Sequence, residues 1–170
     1  MSWTNLKNIE FSKIYYSSNY GGKGSFYKEY NFHLIEEGQV FIELTNGNLY
    51  ELYDDSEIEG LGLHIQQVPQ ANLSLIQEYQ ISDYDEIWSK ISKKIMVDFK
   101  IYKGHSFIEI ANGKTQKKEF NLTIELIFLN GEQVFISTAG FLDENLVMEK
   151  SEDLILYRKK TVGEKYNLLN

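Results

Sequence analysis

Two runs of alternating apolar residues joined at Asn130-Gly131 constrain this chain more than any other feature. From Leu122 to Phe141 the residues read Leu-Thr-Ile-Glu-Leu-Ile-Phe-Leu-Asn-Gly-Glu-Gln-Val-Phe-Ile-Ser-Thr-Ala-Gly-Phe. Ile124, Leu126 and Phe128 fall on one side at a period of two, and Val134 and Ile136 resume that side after the turn. A period of two is the signature of a strand with one buried face. Asn-Gly accepts positive φ at both central turn positions, so a two-residue type I′ hairpin is the expected connection.

A second stretch repeats the pattern. Val40, Ile42 and Leu44 alternate into Asn46-Gly47, and Tyr50 and Leu52 follow. Aligned on Asn-Gly, they match Ile124, Leu126, Phe128, Val134 and Ile136 position for position. Each hairpin leads to an acidic turn (Asp54-Asp55-Ser-Glu57 and Asp143-Glu144) and then to an apolar strand, Leu61/Leu63/Ile65 or Leu154 to Tyr157. Two readings stay open: an internal duplication over about 1–80 and 81–162, or two unrelated hairpins of the kind any β protein contains. Either way Ile42, Leu44, Ile124, Leu126, Phe128 and Ile136 should be buried.

The remaining signals fill in the architecture. Ile9 and Phe11 to Tyr16 read as one bent strand or two, and Asn19 to Ser25 as a hairpin connection. Its glycines lack the Gly-Lys-Ser/Thr ending and following helix of a phosphate loop. Phe26 to Leu34 reads as a strand. Ser82 is an N-cap with Asp85 three positions on, ahead of Tyr84, Ile87, Trp88 and Ile91 at helical spacing, so a short helix is expected near 83–93. Ile95 to Tyr102 and Phe107 to Ala111 return to strand, with a third turn at Asn112-Gly113. Twelve Tyr and ten Phe against one Pro favour strands throughout. The expected fold is mainly β (α+β): about nine to eleven strands from two related meanders in a strongly bent antiparallel sheet or partly closed barrel. At 170 residues a single domain spanning 1–170 is expected. The polar stretch 163–170 is expected to be a frayed tail.

Composition removes several chemistries. With no Cys there is no disulfide, thiol nucleophile or zinc-thiolate site. His33, His64 and His105 are far apart without a second ligand at metal spacing, and His64 should face solvent opposite Leu63 and Ile65. No Gly-x-Ser-x-Gly elbow is present. Adjacent carboxylates such as Glu36-Glu37 and Asp54-Asp55 read as solvated turns, and Glu125 as part of a polar outer face. Asn72-Leu-Ser74 and Asn121-Leu-Thr123 match a glycosylation pattern that means nothing without a signal peptide. No catalytic residue, metal site or cofactor is expected, and the chain reads as cytoplasmic, with no membrane-spanning run.

Charge is the feature that points outward. From Glu29 through Ser89, 61 residues hold 13 acidic side chains and no Lys or Arg. A window of that size should hold about six basic residues at the chain's overall frequency. Lys90 to Lys118 then carries eight Lys against Asp98 and Glu109, within a total net charge of −8. A concentrated field of one sign speeds association with an oppositely charged partner. Nucleic acid is not expected as that partner, since its phosphates would meet repulsion; a cationic protein is. The contact is expected at Glu51, Asp54, Asp55, Glu57 and Glu59, projecting from the turn after the first hairpin.

In this respect the chain resembles bacterial immunity proteins of polymorphic or contact-dependent toxin systems. The resemblance rests on the hairpin from Gly38 to Gly47, the acidic turn, Glu59 to Ile65, Trp88 to Ile95 feeding a strand, and the second hairpin ending in Ser151 to Tyr157. It implies a non-enzymatic, stoichiometric inhibitor that occludes a toxin domain. A small apolar ligand held in a β-barrel-like body, or an assembly subunit pairing by an edge strand, are the other classes left open. Oligomeric state is not set by the sequence.

Overall fold

Both Asn-Gly pairs sit at hairpin tips, but the turn differs from the one expected. In the computed structural model, which describes residues 3–18, 25–27, 32–35, 38–55, 62–70, 88–110, 113–141 and 148–169, Gly47 donates its N–H to the Leu44 carbonyl at 2.9 Å and Leu44 donates to Asn48 at 2.9 Å. The second turn repeats this, with Gly131 to Phe128 at 2.9 Å and Phe128 to Glu132 at 3.0 Å. Gly47 and Gly131 have φ of 84° and 82°, whereas neither Asn takes positive φ. These are three-residue loops, a type I turn closed by a left-handed glycine, not type I′ turns. The Asn side chains explain the preference: Asn46 Oδ1 accepts from the Asn48 N–H and Asn130 Oδ1 from the Glu132 N–H, an Asx turn that holds the Asn in a right-handed conformation.

Among the described residues, ten strands form two antiparallel sheets. Strands β1 (Phe11–Ser18), β4 (Gly38–Leu44), β5 (Leu49–Asp55) and β6 (Gly62–Val68) lie in the order β1-β4-β5-β6. The other sheet has the order β2-β3-β10-β9-β8-β7, from β2 (Ser25–Tyr27), β3 (Phe32–Ile35), β7 (Met96–Ile110), β8 (Lys114–Phe128), β9 (Gln133–Phe141) and β10 (Met148–Tyr157). The sheets do not close into a barrel. They share one core instead, in which Ile14, Val40, Ile42, Leu44, Leu52 and Leu63 meet Ile124, Leu126, Phe128, Val134, Ile136 and Leu154. Phe11 meets Phe128 edge to face across the two sheets, centroids 5.1 Å apart. All six side chains expected to be buried in the hairpins are buried. The stretch read as one strand from Phe26 to Leu34 is the antiparallel pair β2–β3, which joins the second sheet where Leu154 faces Ile35 and Tyr157 faces Phe32.

The two halves open alike. Single 3-10 turns at Trp3–Leu6 and Trp88–Lys90 precede left-handed Asn8 (φ 62°) and Lys93 (φ 59°). Phe11 N–H then donates to the Lys94 carbonyl while Met96 N–H donates to Ile9. Reciprocally, Lys93 N–H donates to Phe11 and Asn8 N–H to Met96, about the bridge between Glu10 and Ile95. Even the hairpin tips take part, since Thr45 N–H reaches the Glu10 carbonyl and Leu129 N–H reaches Ile95.

Two expectations near the chain's middle and end need correction. Within 83–93 the described part holds the 3-10 turn and a further turn, with Ile91 buried; Ser82, Tyr84 and Ile87 lie outside the described residues. Left-handed Lys93 breaks the helical geometry there. The described α-helix is α1, Lys160–Lys165, and the segment expected to fray is docked. Val162 and Leu168 are buried against Phe135, Ala139, Ile155 and Tyr157 on the outer face of the second sheet. The physical reason lies in Leu154 to Tyr157, a run without polar alternation, as expected for a strand covered on both faces.

Candidate functional site

Three consecutive strands of the first sheet, β4, β5 and β6, hold Glu43, Glu51, Asp54 and Asp55 and no Lys or Arg. The cationic stretch goes elsewhere, into the long β7–β8 hairpin at the edge of the second sheet. Strands β4, β5 and β6 are thus free of basic residues, whereas the second sheet carries both signs and Lys13 of β1 faces Glu43 in the first.

The expected contact residues are not all in a turn. Strand β5 continues through Asp55 because it keeps pairing with β6, Asp54 facing Leu63 and Asp55 facing Gly62. Glu51 lies within that strand and is 8% exposed, its Oε2 accepting a 2.6 Å hydrogen bond from Gln66 Nε2. Asp54 is half-buried. Glu57 and Glu59 lie outside the described residues. Register places Glu51 opposite Phe41 on β4 and Gln66 on β6. Nearby, Tyr15 donates to Glu43 Oε2 at 2.7 Å, and burial, followed by that carboxylate, pushes the phenol's pKa up.

Beside β6 opens a cleft of about 600 Å³ lined by Trp3, Tyr53, His64, Gln66, Gln67 and Asn121. Tyr53 and His64 are cross-strand partners with ring centroids 5.9 Å apart and planes inclined by 35°. His64 is therefore half-buried against an aromatic ring rather than simply facing solvent. Gln67 Nε2 donates to Asn48 Oδ1 at 3.3 Å. Asn121 bridges the sheets, its Nδ2 donating to the Leu63 carbonyl at 3.2 Å. Trp3, Tyr53, Gln66, Gln67 and Asn121 were not legible as a group. Asn121 and Leu63 are 58 positions apart, and only the packing of β8 against β6 brings them together.

A second polar cluster lies under the C-terminal segment and is internally satisfied. Thr123 Oγ1 donates its single proton to the Leu168 carbonyl at 2.7 Å. Ser137, 2.7 Å from Thr123, must then donate to it, and Tyr157, 3.2 Å from Ser137, donates in turn. Glu125, expected on a solvated face, is 6% exposed and accepts from Tyr102 at 2.7 Å. Such a matched network fixes structure and leaves little for a ligand. Among the described residues no group of three or more His, Asp or Glu is placed to hold a metal, and no helix is long and apolar enough to cross a membrane.

The chain matches no protein family, no curated protein and no solved structure at a significant level.

Proposed function

We infer that the protein is a non-enzymatic, stoichiometric inhibitor of the immunity-protein kind, which binds a basic toxin domain through its first sheet. The observation that carries this reading is the absence of any Lys or Arg from β4, β5 and β6, beside four carboxylates on the same strands. A face of one sign raises encounter rates with an opposite face and disfavours wrong partners. The test begins with co-purification from the native cell, acting as that inhibitor where it meets its partner in the cytoplasm. Association is then timed for the native chain and for Asp54→Lys with Asp55→Lys. The double variant should associate at least several-fold more slowly at low salt, the gap closing as the Debye length shrinks to ~8 Å near physiological ionic strength. An acidic partner, or a rate indifferent to both salt and substitution, would leave the charge partition as a solubility device. A small-molecule ligand is the second reading, favoured by the cleft beside β6; native mass spectrometry of the purified chain would reveal it as bound mass.

A further inference from the structure

We propose that the cleft beside β6 is a pocket for an arginine side chain supplied by the partner protein, an inference that rests on the reading above and locates its central contact. The starting point is the orientation of two amides. A carboxylate and a backbone carbonyl can only accept, so Gln66 must turn its nitrogen to Glu51 and Asn121 its nitrogen to Leu63. Each side chain then has an amide oxygen and the second hydrogen of its NH2 group left for the cleft it lines. Hydrogen bonding to Glu51 polarises the Gln66 amide and makes its oxygen a stronger acceptor.

A ligand rich in donors meets both oxygens. An anion would find only the two remaining N–H groups and would meet the Glu51 carboxylate behind one of them. Among cationic side chains the guanidinium fits best: it is planar, carries five N–H donors in a fixed fork and has no acceptor. It also stacks on aromatic faces, and Trp3, Tyr53 and His64 all line the cleft. A lysine ammonium is a strongly hydrated point charge that gains less from the rings. On the β6 side no basic residue stands on β4, β5 or β6, and Lys103, opposite Asn121, is paired with Glu119 at 3.5 Å.

The test uses the full chain, labelled with nitrogen-15, and two capped peptides of equal charge, tri-arginine and tri-lysine. Saturable shifts of the Gln66 and Asn121 side-chain amides and the Trp3 indole are expected with tri-arginine, at clearly higher affinity than with tri-lysine. Gln66→Met keeps the length of an exposed side chain and removes the acceptor. It should weaken tri-arginine binding about tenfold in the folded protein. It also removes the donor to nearly buried Glu51, so the unfolding midpoint should fall and binding is compared well below the variant's transition. Equal binding of both peptides, or undiminished binding to the Met variant, would overturn the pocket. So would larger shifts with a neutral oligosaccharide such as maltotriose, which would make the cleft a sugar site. The failures are separable. If Asp54→Lys with Asp55→Lys weakens both peptides alike and Gln66→Met does nothing, the anionic sheet stands and the pocket falls. If arginine binding depends on Gln66 but the isolated partner ignores the double reversal, the pocket stands and the electrostatic reading falls.

Discussion

Gly163 shows at the scale of one residue how closely the C-terminal segment sits on its sheet. A Cβ added there would lie 2.5 Å from the Tyr157 hydroxyl and 2.7 Å from Leu169 Cγ. In an exposed helix Gly→Ala gains up to about 1 kcal/mol. Here the intruding methyl meets a fully buried phenol held in a hydrogen-bond chain, and overpacking of that kind costs about 1–3 kcal/mol. Gly163→Ala should therefore destabilise, read as a lower urea midpoint; a gain would mean the segment is looser than its contacts imply. The tyrosines make a second residue-scale prediction. Burial first, then the hydrogen bond to Glu125, pushes Tyr102 up to about 12, and burial pushes Tyr157 higher still. In the native state these phenols keep protons that the unfolded chain has lost. Stability should thus be full below about pH 10 and fall as pH rises toward 12. Tyrosinate absorbance should lag in the folded protein and jump on unfolding, and a native titration like that of free tyrosine would contradict it. Neither effect was visible in the sequence. Glu125 alternates with Ile124 and Leu126 as any solvated residue would, and only the docking of Val162 and Leu168 covers its neighbourhood.

Among the elements, the hairpins were legible and their turn type was not. Alternation and Asn-Gly locate both tips correctly, because burial of one face fixes register. The choice between two- and three-residue loops depends on which Asn conformation its side-chain hydrogen bond stabilises, and the dipeptide alone does not decide it. One consequence is measurable. Nothing lies within 4 Å of a Cβ built on Gly47 or Gly131, so Gly→Ala at either site should cost only the left-handed backbone term, about 1–2 kcal/mol. The two costs should be nearly equal in denaturant titrations, since the turns share their hydrogen bonds and φ values; a large inequality would show that the tips differ in ways their geometry does not express. The helix expected near 83–93 fails in its described part for a related reason. Trp88 and Ile91 have helical spacing, but left-handed Lys93 and the hydrogen bonds to Phe11 turn the chain into β7 instead. The true helix, α1, has weak local signals and is held by the sheet beneath it.

At the scale of the whole molecule, contiguity decided what could be read. The acidic span is continuous in sequence, and β4, β5 and β6 are neighbours in one sheet, so their shared charge was legible. The cleft draws on Trp3, β5, β6 and Asn121 of β8, and no local pattern joins those segments. The matched openings of the two halves went unread as well, although Trp3-Thr4-Asn5-Leu6 and Trp88-Ser89-Lys90-Ile91 share a Trp, a hydroxyl residue and a buried aliphatic at the same spacing. The placement of β2–β3 carries a further consequence, in time rather than in space. These strands belong to the first quarter of the chain, yet β3 pairs with β10, where Ile35 meets Leu154. At ribosomal speeds of roughly 5–20 residues per second, β3 emerges on the order of ten seconds before its partner strand. Until then the nascent chain carries an unmated hairpin, and the second sheet can be finished only once β10 has been made.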